Sequence, residues 1–120
     1  VILVAMEIAP GALQSYVKEH KGRLQSQDPT LVWISEEETW IDGCHAMRLE
    51  YETDFKADPA AAAATRVRAL QYIFDSKPRF YRVTAFVSAG LYGRYQAKFE
   101  ACATSFTLLP IPTPMPARVE

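Results

Sequence analysis

The stretch from Trp33 to Thr53 contains an Asp42-Gly43 dipeptide between two segments of mixed apolar and polar residues. Asp-Gly is the strongest short-range signal of a β-hairpin, because a type I′ turn requires positive φ at both of its central residues. A two-residue loop leaves a single pairing register for the strands on either side. The sequence therefore predicts the cross-strand pairs Ile41–Cys44, Trp40–His45, Thr39–Ala46, Glu38–Met47 and Glu37–Arg48.

This register also assigns each side chain of the hairpin to a face, because successive residues of a strand point to opposite sides of the sheet. One face carries Trp40, Met47, Leu49 and Tyr51, and the other carries Ile41, Cys44, Ala46 and the Glu37–Arg48 pair. Both faces are partly apolar. This pattern predicts a sheet that is covered by helix on one side and half covered on the other.

The chain before this hairpin predicts one strand and one helix. Residues 1–8 are almost entirely apolar and are typical of a strand, which Pro10 and Gly11 end. From Ala12 to Ser26 the apolar residues recur at helical spacing, with most of the charged residues on the opposite side. The predicted buried stripe of this helix is Leu13, Val17, His20 and Leu24.

A second hairpin is predicted after an alanine-rich excursion at 54–65, for which we expect one helical turn after Asp58-Pro59. Residues 66–74 and 80–88 both alternate, with the turn at 75–79. The alternation suggests that Arg68 and Arg82 share a sheet face with Tyr72 and Phe86, where they would form a cationic patch. The alternative is a solvated face on which Glu50 and Glu52 balance the arginines.

The last predicted element is an amphipathic helix that should lie across the sheet and supply much of the core. Its apolar residues are spaced 4, 4, 3 and 4 apart: Leu91, Tyr95, Phe99, Cys102 and Phe106. Beyond it, residues 110–120 are rich in proline and are typical of an extended linker. We expect a single domain over residues 1–109 and a tail at 110–120.

Composition excludes several classes of protein. The chain has 120 residues, of which 49% are hydrophobic and 22% charged, and its net charge is −1. These values are ordinary for a globular domain and give no reason to expect nucleic acid as a partner. No apolar run reaches the length of about 18 residues that a membrane-spanning helix requires.

No residue pattern predicts a catalytic, cofactor-binding or metal site. In the run Glu36–Glu38, neighbouring carboxylates point to opposite faces of a strand, and no His or Asp stands at a ligand spacing from them. His45, opposite Trp40, should have a stacking or surface role rather than a catalytic one, and His20 should be a partly buried helix residue. Cys44 and His45 cannot form a dyad because they are strand neighbours, and Cys102 fits core packing.

The order strand, helix, Asp-Gly hairpin, excursion, hairpin, helix resembles the superfamily of PsbP-like and DcrB-related proteins. Two stretches carry the likeness: TWIDGCHAMRLEYET, with Asp42, Gly43, Ala46 and Tyr51, and YQAKFEACATSFTLL, with Ser105 and Phe106. The likeness spans residues 1–109. The family's opening hairpin, with its Pro and Trp, has no counterpart in this sequence, and the alanine-rich 54–65 segment is a second departure.

The resemblance implies an α+β fold, a curved antiparallel sheet flanked by two helices. It also implies non-enzymatic work, since PsbP-like members are lumenal accessory proteins of photosystems. DcrB-related members include extracytoplasmic lipoproteins and chaperones that shield apolar segments of secreted effectors. A lumenal or extracytoplasmic location is favoured on this basis over a cytoplasmic one.

We therefore expect a non-catalytic accessory or assembly protein, with neither cofactor nor metal, that binds a protein partner or a membrane complex without spanning the membrane. The leading form of this hypothesis is PsbP-like and photosystem-associated. The alternatives are a DcrB-related lipoprotein or chaperone, and a small-ligand carrier or unrecognised enzyme with a pocket between the sheet and the last helix. The candidate partner-binding residues are Trp33, Trp40, Tyr51, Arg68 and Arg82.

Overall fold

The computed structural model describes residues 2–56, 58, 60 and 63–105. In chain order the elements are β1 (Ile2–Ile8), α1 (Leu13–Gln27), β2 (Val32–Ile41), β3 (Cys44–Phe55), β4 (Thr65–Ser76), β5 (Arg79–Ser88) and, after a 3-10 turn at Ala89–Leu91, α2 (Tyr92–Thr104). The strands form one antiparallel sheet in the order β1-β5-β4-β3-β2. The fold is α+β, as the sequence predicts.

The turn between β2 and β3 has the predicted geometry. Asp42 has a φ of 51° and Gly43 a φ of 74°, so both central residues lie in the left-handed region. All five predicted cross-strand pairs are present, from Ile41 opposite Cys44 to Glu37 opposite Arg48. The hairpin faces follow, with Met47 and Leu49 on one side of the sheet and Ala46 on the other.

Helix α1 covers the middle of one sheet face, which we call the α1 face. Of the predicted stripe, Leu13, Val17 and His20 are buried and Leu24 is partly buried, and Tyr16 is a buried residue that the prediction did not include. The Tyr16 ring stacks on Phe80 of β5 with 4.2 Å between centroids. The cluster beneath α1 consists of Leu13, Tyr16, Val17, Met47, Leu49, Ile73 and Phe80.

Helix α2 packs on the opposite face, the α2 face, but not through the predicted stripe. Tyr92 and Ala103 are its buried residues, whereas Leu91 and Cys102 are exposed. The helix is therefore rotated about its axis relative to the prediction. Phe99 is partly buried against the same cluster, and Phe106 lies outside the described residues.

The second hairpin corrects another prediction. Ser76 pairs with Arg79, so the loop is the two residues Lys77 and Pro78 rather than five. The shorter loop changes which residues are opposite, and Arg68 pairs with Val87 while Arg82 pairs with Ile73. Arg68 and Arg82 consequently point to opposite faces of the sheet.

Two predictions lie largely outside the described residues. One is the helical turn after Asp58-Pro59, and the other is the proline-rich tail at 110–120. Both cysteines are free thiols.

The rotation of α2 can be tested with one aspartate placed at either of two neighbouring positions. Ala103→Asp puts a charge against the sheet and should lower the free energy of unfolding by about 2 kcal/mol or more. Cys102→Asp, in the same helical turn but exposed, should change it by about 0.5 kcal/mol. Urea denaturation measures both. The opposite ranking would mean that the sequence stripe, not Ala103, faces the core.

Candidate functional site

The five candidate partner-binding residues do not form one surface. Tyr51 is buried under α1 and touches Trp33 edge-on, with 5.2 Å between ring centroids. Trp33 is half-buried and is covered by Lys21, whose Nζ lies 4.7 Å from the ring centroid. The Trp33 indole also donates a 3.3 Å hydrogen bond to Gln25. This pair therefore fixes α1 on the sheet.

Trp40 is the one candidate aromatic that remains open to solvent, at 67% exposure. It lies near the hairpin tip and stacks on His45 with 4.6 Å between centroids, as expected from their cross-strand pairing. His45 in turn hydrogen-bonds Glu38 on the same face. Trp40 thus presents a rigid aromatic surface with a polar edge.

Arg68 holds α2 against the sheet. It donates a 2.8 Å hydrogen bond to Glu50, and its guanidinium lies over the Tyr92 ring at 4.6 Å. Glu50 is buried and also accepts from Arg48 and from the Tyr92 hydroxyl. Burial raises the pKa of Glu50, but the hydrogen bonds from Arg68 and Arg48 outweigh it and lower that pKa.

The ion pairs around Glu50 extend to Glu100 of α2 and to Glu52 of β3. Arg48 bonds Glu100 of α2 at 2.6 Å, and Arg68 also pairs with Glu52 at 3.6 Å. Glu50 and Glu52 thus balance Arg68, as in the alternative to a cationic patch, but Glu50 is buried rather than solvated and Arg82 pairs with Glu7 instead. Arg48 lies opposite Glu37 in the register, yet its ion pairs are with Glu50 and Glu100.

Arg82 belongs to a second network of ion pairs, which lies on the α1 face. It donates to Glu7 at 3.0 Å and contacts the Tyr16 hydroxyl, while Arg23 of α1 forms two 3.0 Å bonds to the same carboxylate. Tyr16 donates a further bond of 2.7 Å to Glu7. The hydrogen bonds from Arg23 and Tyr16 lower the pKa of Glu7 to about 2.

A chain of buried polar groups runs beside Arg82. His20 hydrogen-bonds Gln71 at 3.0 Å, and the Gln71 amide donates to Thr84 at 2.8 Å. Burial lowers the pKa of His20 to about 4, and the positive charge of Arg82 acts in the same direction. These groups satisfy one another within the packed α1 interface.

An apolar concavity lies on the α1 face, beyond the end of the helix. It is a groove of about 370 Å³ that opens to solvent, and its walls come from four strands. Its lining, the apolar groove, consists of Leu3, Thr53, Phe55, Val67, Phe86, Val87 and Ser88. Phe55 and Leu3 are both more than half exposed.

One wall of the groove is held by a compact set of hydrogen bonds. Asp28 accepts from Thr53 and from both the backbone and the hydroxyl of Thr30, at 3.0 and 2.7 Å. Arg66 donates to the Thr30 carbonyl at 2.8 Å and to Asp54 at 3.1 Å. The loop before β2 is thereby fastened to β3 and β4, and the Thr53 hydroxyl is engaged in this set rather than in the groove.

The apolar groove was not predicted from the sequence. The period-2 pattern puts Thr53, Phe55 and Val67 on the α1 face, but it carries no information on where α1 stops covering them. One signal in the sequence could have indicated the groove. The strands carry more apolar residues on this face than one short helix can bury. Sequence reasoning instead weighted the tryptophans and the arginines.

Within the described part of the chain, no group of three or more His, Cys, Asp or Glu side chains could hold a metal ion. A second concavity, of about 460 Å³ between α1 and β2, is lined by Gln14, Lys18, Lys21, Gly22, Gln25, Glu36 and Met47. Among the residues that the structure describes, no helix is long and apolar enough to cross a membrane.

Comparison with solved structures identifies the architecture. A Pseudomonas aeruginosa protein of unknown function, PA94, described as a candidate regulator, superposes with a TM-score of 0.68 over 94% of this chain and 85% of its own, at 15% identity. The solution structure of cyanobacterial PsbP from Synechocystis gives 0.66 over 90% of this chain, at 14% identity. The fold is PsbP-like. This chain spans 66% of that PsbP chain.

At these identities the likeness concerns the fold. No family model matches the chain, and no curated protein matches it either. The PsbP-like fold is the one that the sequence resemblance implies, and the subfamily stays open.

The buried imidazole makes stability depend on pH in a defined window. The unfolded chain takes up a proton at His20 near pH 6.5, whereas the folded chain does so near pH 4. Stability therefore falls as pH drops from 6.5 to 4.5, by about 2 kcal/mol from this group. Glu7, whose pKa is lowered from 4.5 to about 2, loses its contribution mainly below that window.

Urea denaturation of the wild type and of His20→Gln at a series of pH values separates the two effects. The variant should show a much flatter profile between pH 6.5 and 4.5. Equal slopes for the two proteins would contradict the assignment to His20.

Proposed function

We propose that this chain is a non-catalytic accessory or assembly protein that binds an apolar segment of a partner protein in the apolar groove. The observation that carries the proposal is the groove itself. Its volume of about 370 Å³ falls within the usual range of ligand sites, and its lining is apolar apart from Thr53 and Ser88. Such a lining suits aliphatic and aromatic side chains rather than a polar substrate.

The walls of the groove favour a preformed site. The bonds among Asp28, Thr30 and Arg66 fasten one wall, and Phe86 on β5 lies in the interior of the sheet opposite Ala69. A preformed site loses little conformational entropy on binding, so more of the burial free energy appears as affinity. Phe55 and Leu3 are exposed, so an apolar segment bound in the groove would bury their side chains.

The polar residues support a non-catalytic role. Glu7, His20 and Glu50 each have a lowered pKa, and each is tied to partners that hold a helix on the sheet. None of these three lines the apolar groove. Their shifts are those of structural ion pairs and hydrogen bonds, which also perturb pKa values.

Two finer forms of this function have separate support. The likeness to cyanobacterial PsbP supports an accessory role at a photosystem, though at 14% identity it concerns only the fold. The apolar groove supports the chaperone form, in which the protein shields an apolar segment of a client. We favour the chaperone form, because its support comes from this chain's own side chains.

The small-ligand alternative placed a pocket between the sheet and α2. That interface is filled by a cluster that includes Leu70, Tyr72, Tyr92 and Ala103. A small apolar ligand would have to take the groove on the α1 face instead. Native mass spectrometry of the protein from its own source distinguishes the two occupants, because a small ligand and a protein partner add different masses.

Substitution at the groove tests the proposal directly. A fluorescein-labelled synthetic Leu-Ala helix with lysine flanks serves as the apolar probe, and binding is followed by fluorescence anisotropy. Phe55→Asp should weaken binding by about ten-fold, the loss expected when one partly exposed aromatic contact is removed. Phe55 is 55% exposed, so the variant should keep its fold.

Trp40→Asp is the matched control, because it removes an exposed aromatic residue from the same sheet face at the hairpin end. It should bind the probe like the wild type. A loss with Trp40→Asp and none with Phe55→Asp would move the site to the hairpin tip. Absence of binding by the wild type would overturn the proposal.

A further inference from the structure

The concavity between α1 and β2, which we call the α1–β2 cleft, has a polar lining and shares no residue with the apolar groove. Glu36 of β2 lines one side, and Met47 of β3 completes the lining. The other side is a flank of α1 with four polar residues at helical spacing: Gln14, Lys18, Lys21 and Gln25. The volume of about 460 Å³ falls within the usual range of small-molecule sites. Because its walls are polar, the cleft suits a polar ligand.

The polar groups of the α1–β2 cleft include hydrogen-bond donors that lack a protein acceptor. The Trp33 indole donates to Gln25, and because an indole nitrogen only donates, the Gln25 atom that faces it is Oε1. The amide nitrogen of Gln25 then has no hydrogen-bond partner among the described residues. Within the same part of the chain, the Lys18 ammonium forms neither an ion pair nor a hydrogen bond. These donors suit a ligand that is rich in acceptor oxygens.

The charge of the α1–β2 cleft favours an anion. Two lysines line it against one carboxylate, and that carboxylate, Glu36, is already paired with Lys21 at 3.4 Å. An ammonium group has three hydrogens, so Lys21 keeps donors for a second acceptor. Lys18 and Lys21 are three residues apart on one helix flank and are therefore close enough to contact a single anionic group.

Gly22 is the least expected residue of this lining. It lies in the interior of α1, where glycine destabilises a helix relative to alanine. Its φ is not positive, and a Cβ built on it would have no described neighbour within 4 Å outside its own stretch of helix. Neither backbone geometry nor packing within the described structure therefore requires glycine. Residues that break a local rule without a structural reason are expected at functional sites.

We propose that the α1–β2 cleft binds a small organic anion with hydroxyl groups, either a hydroxycarboxylate or a phosphate ester. Both share the chemistry that the cleft recognises, an anionic group beside hydroxyl oxygens. Lys18 and Lys21 hold the anionic group, and the Gln25 amide donates to a neighbouring oxygen. The body of the ligand lies against the helix backbone at Gly22, where the missing side chain leaves room. The site is separate from the proposed function, because neither Lys18 nor Gly22 lines the apolar groove.

NMR titration of the isotope-labelled protein in Tris buffer tests the site with four probes: citrate, glycerol phosphate, inorganic phosphate and glycerol. Citrate or glycerol phosphate should shift the backbone amide signals of Lys18 and Gly22 saturably, and the probe that does so identifies the anionic group. Inorganic phosphate should bind about ten-fold more weakly, because it lacks the body that contacts Gly22. Uncharged glycerol should produce no shift.

Two variants locate the ligand within the cleft. Lys18→Gln should weaken binding by about ten-fold, the loss expected for one hydrogen bond to a charged group. Gly22→Ala should weaken binding by about the same factor, because its methyl group occupies the space of the ligand. The same variant should raise Tm by about 4 °C, because alanine favours the helix. Weaker binding by a more stable protein separates a ligand contact from a structural role.

Gly93→Ala and Lys98→Gln in α2 are the matched controls. Gly93 likewise has no described neighbour within 4 Å of a built Cβ, and neither residue lines the α1–β2 cleft. Both variants should bind the probes like the wild type. The proposal is overturned if neither organic anion gives saturable shifts, or if inorganic phosphate binds as tightly as they do. Wild-type affinity in Gly22→Ala, or equal weakening by Lys18→Gln and Lys98→Gln, would also overturn it.

Discussion

Two tight turns fix the arrangement on which the rest of the molecule depends. Asp42 and Gly43 adopt positive φ between β2 and β3, and Lys77 and Pro78 form the two-residue loop between β4 and β5. Each loop sets its register to the residue, and a slip of one residue would exchange the two faces of a strand. Leu49 would then leave the α1 cluster for the face that holds its neighbour Glu50.

With the faces fixed, two carboxylates hold the two helices. Glu7 ties β1 and β5 to α1 through Arg23 and Arg82, and Glu50 ties the sheet to α2 through Tyr92. Removing one partner of a buried ion pair leaves an uncompensated charge, which costs far more than the pair contributes. Glu7, Glu50 and their arginine partners are thus committed to the structure.

The parts of the fold that were predictable depend on local rules. The hairpin register follows from the Asp42-Gly43 turn, and the buried stripe of α1 follows from the spacing of Leu13 and Val17. The orientation of α2 did not follow, because Tyr92 is drawn inward by its hydrogen bond to Glu50 and Glu100 is drawn toward Arg48. Those partners are 42 and 52 residues away along the chain, where periodicity carries no information.

The candidate site shows the same division. Alternation and turn chemistry, which act between neighbours, determined by themselves that the chain forms an antiparallel sheet with apolar residues on both faces. The tertiary structure decided which of those residues are covered. Tyr51 lies beneath α1 and Trp40 does not, and the apolar groove exists because α1 ends before Phe55 and Val67. Whether a sheet residue is buried depends on the length and position of a helix that is distant in sequence. The spacing of neighbouring residues along the chain does not encode that position.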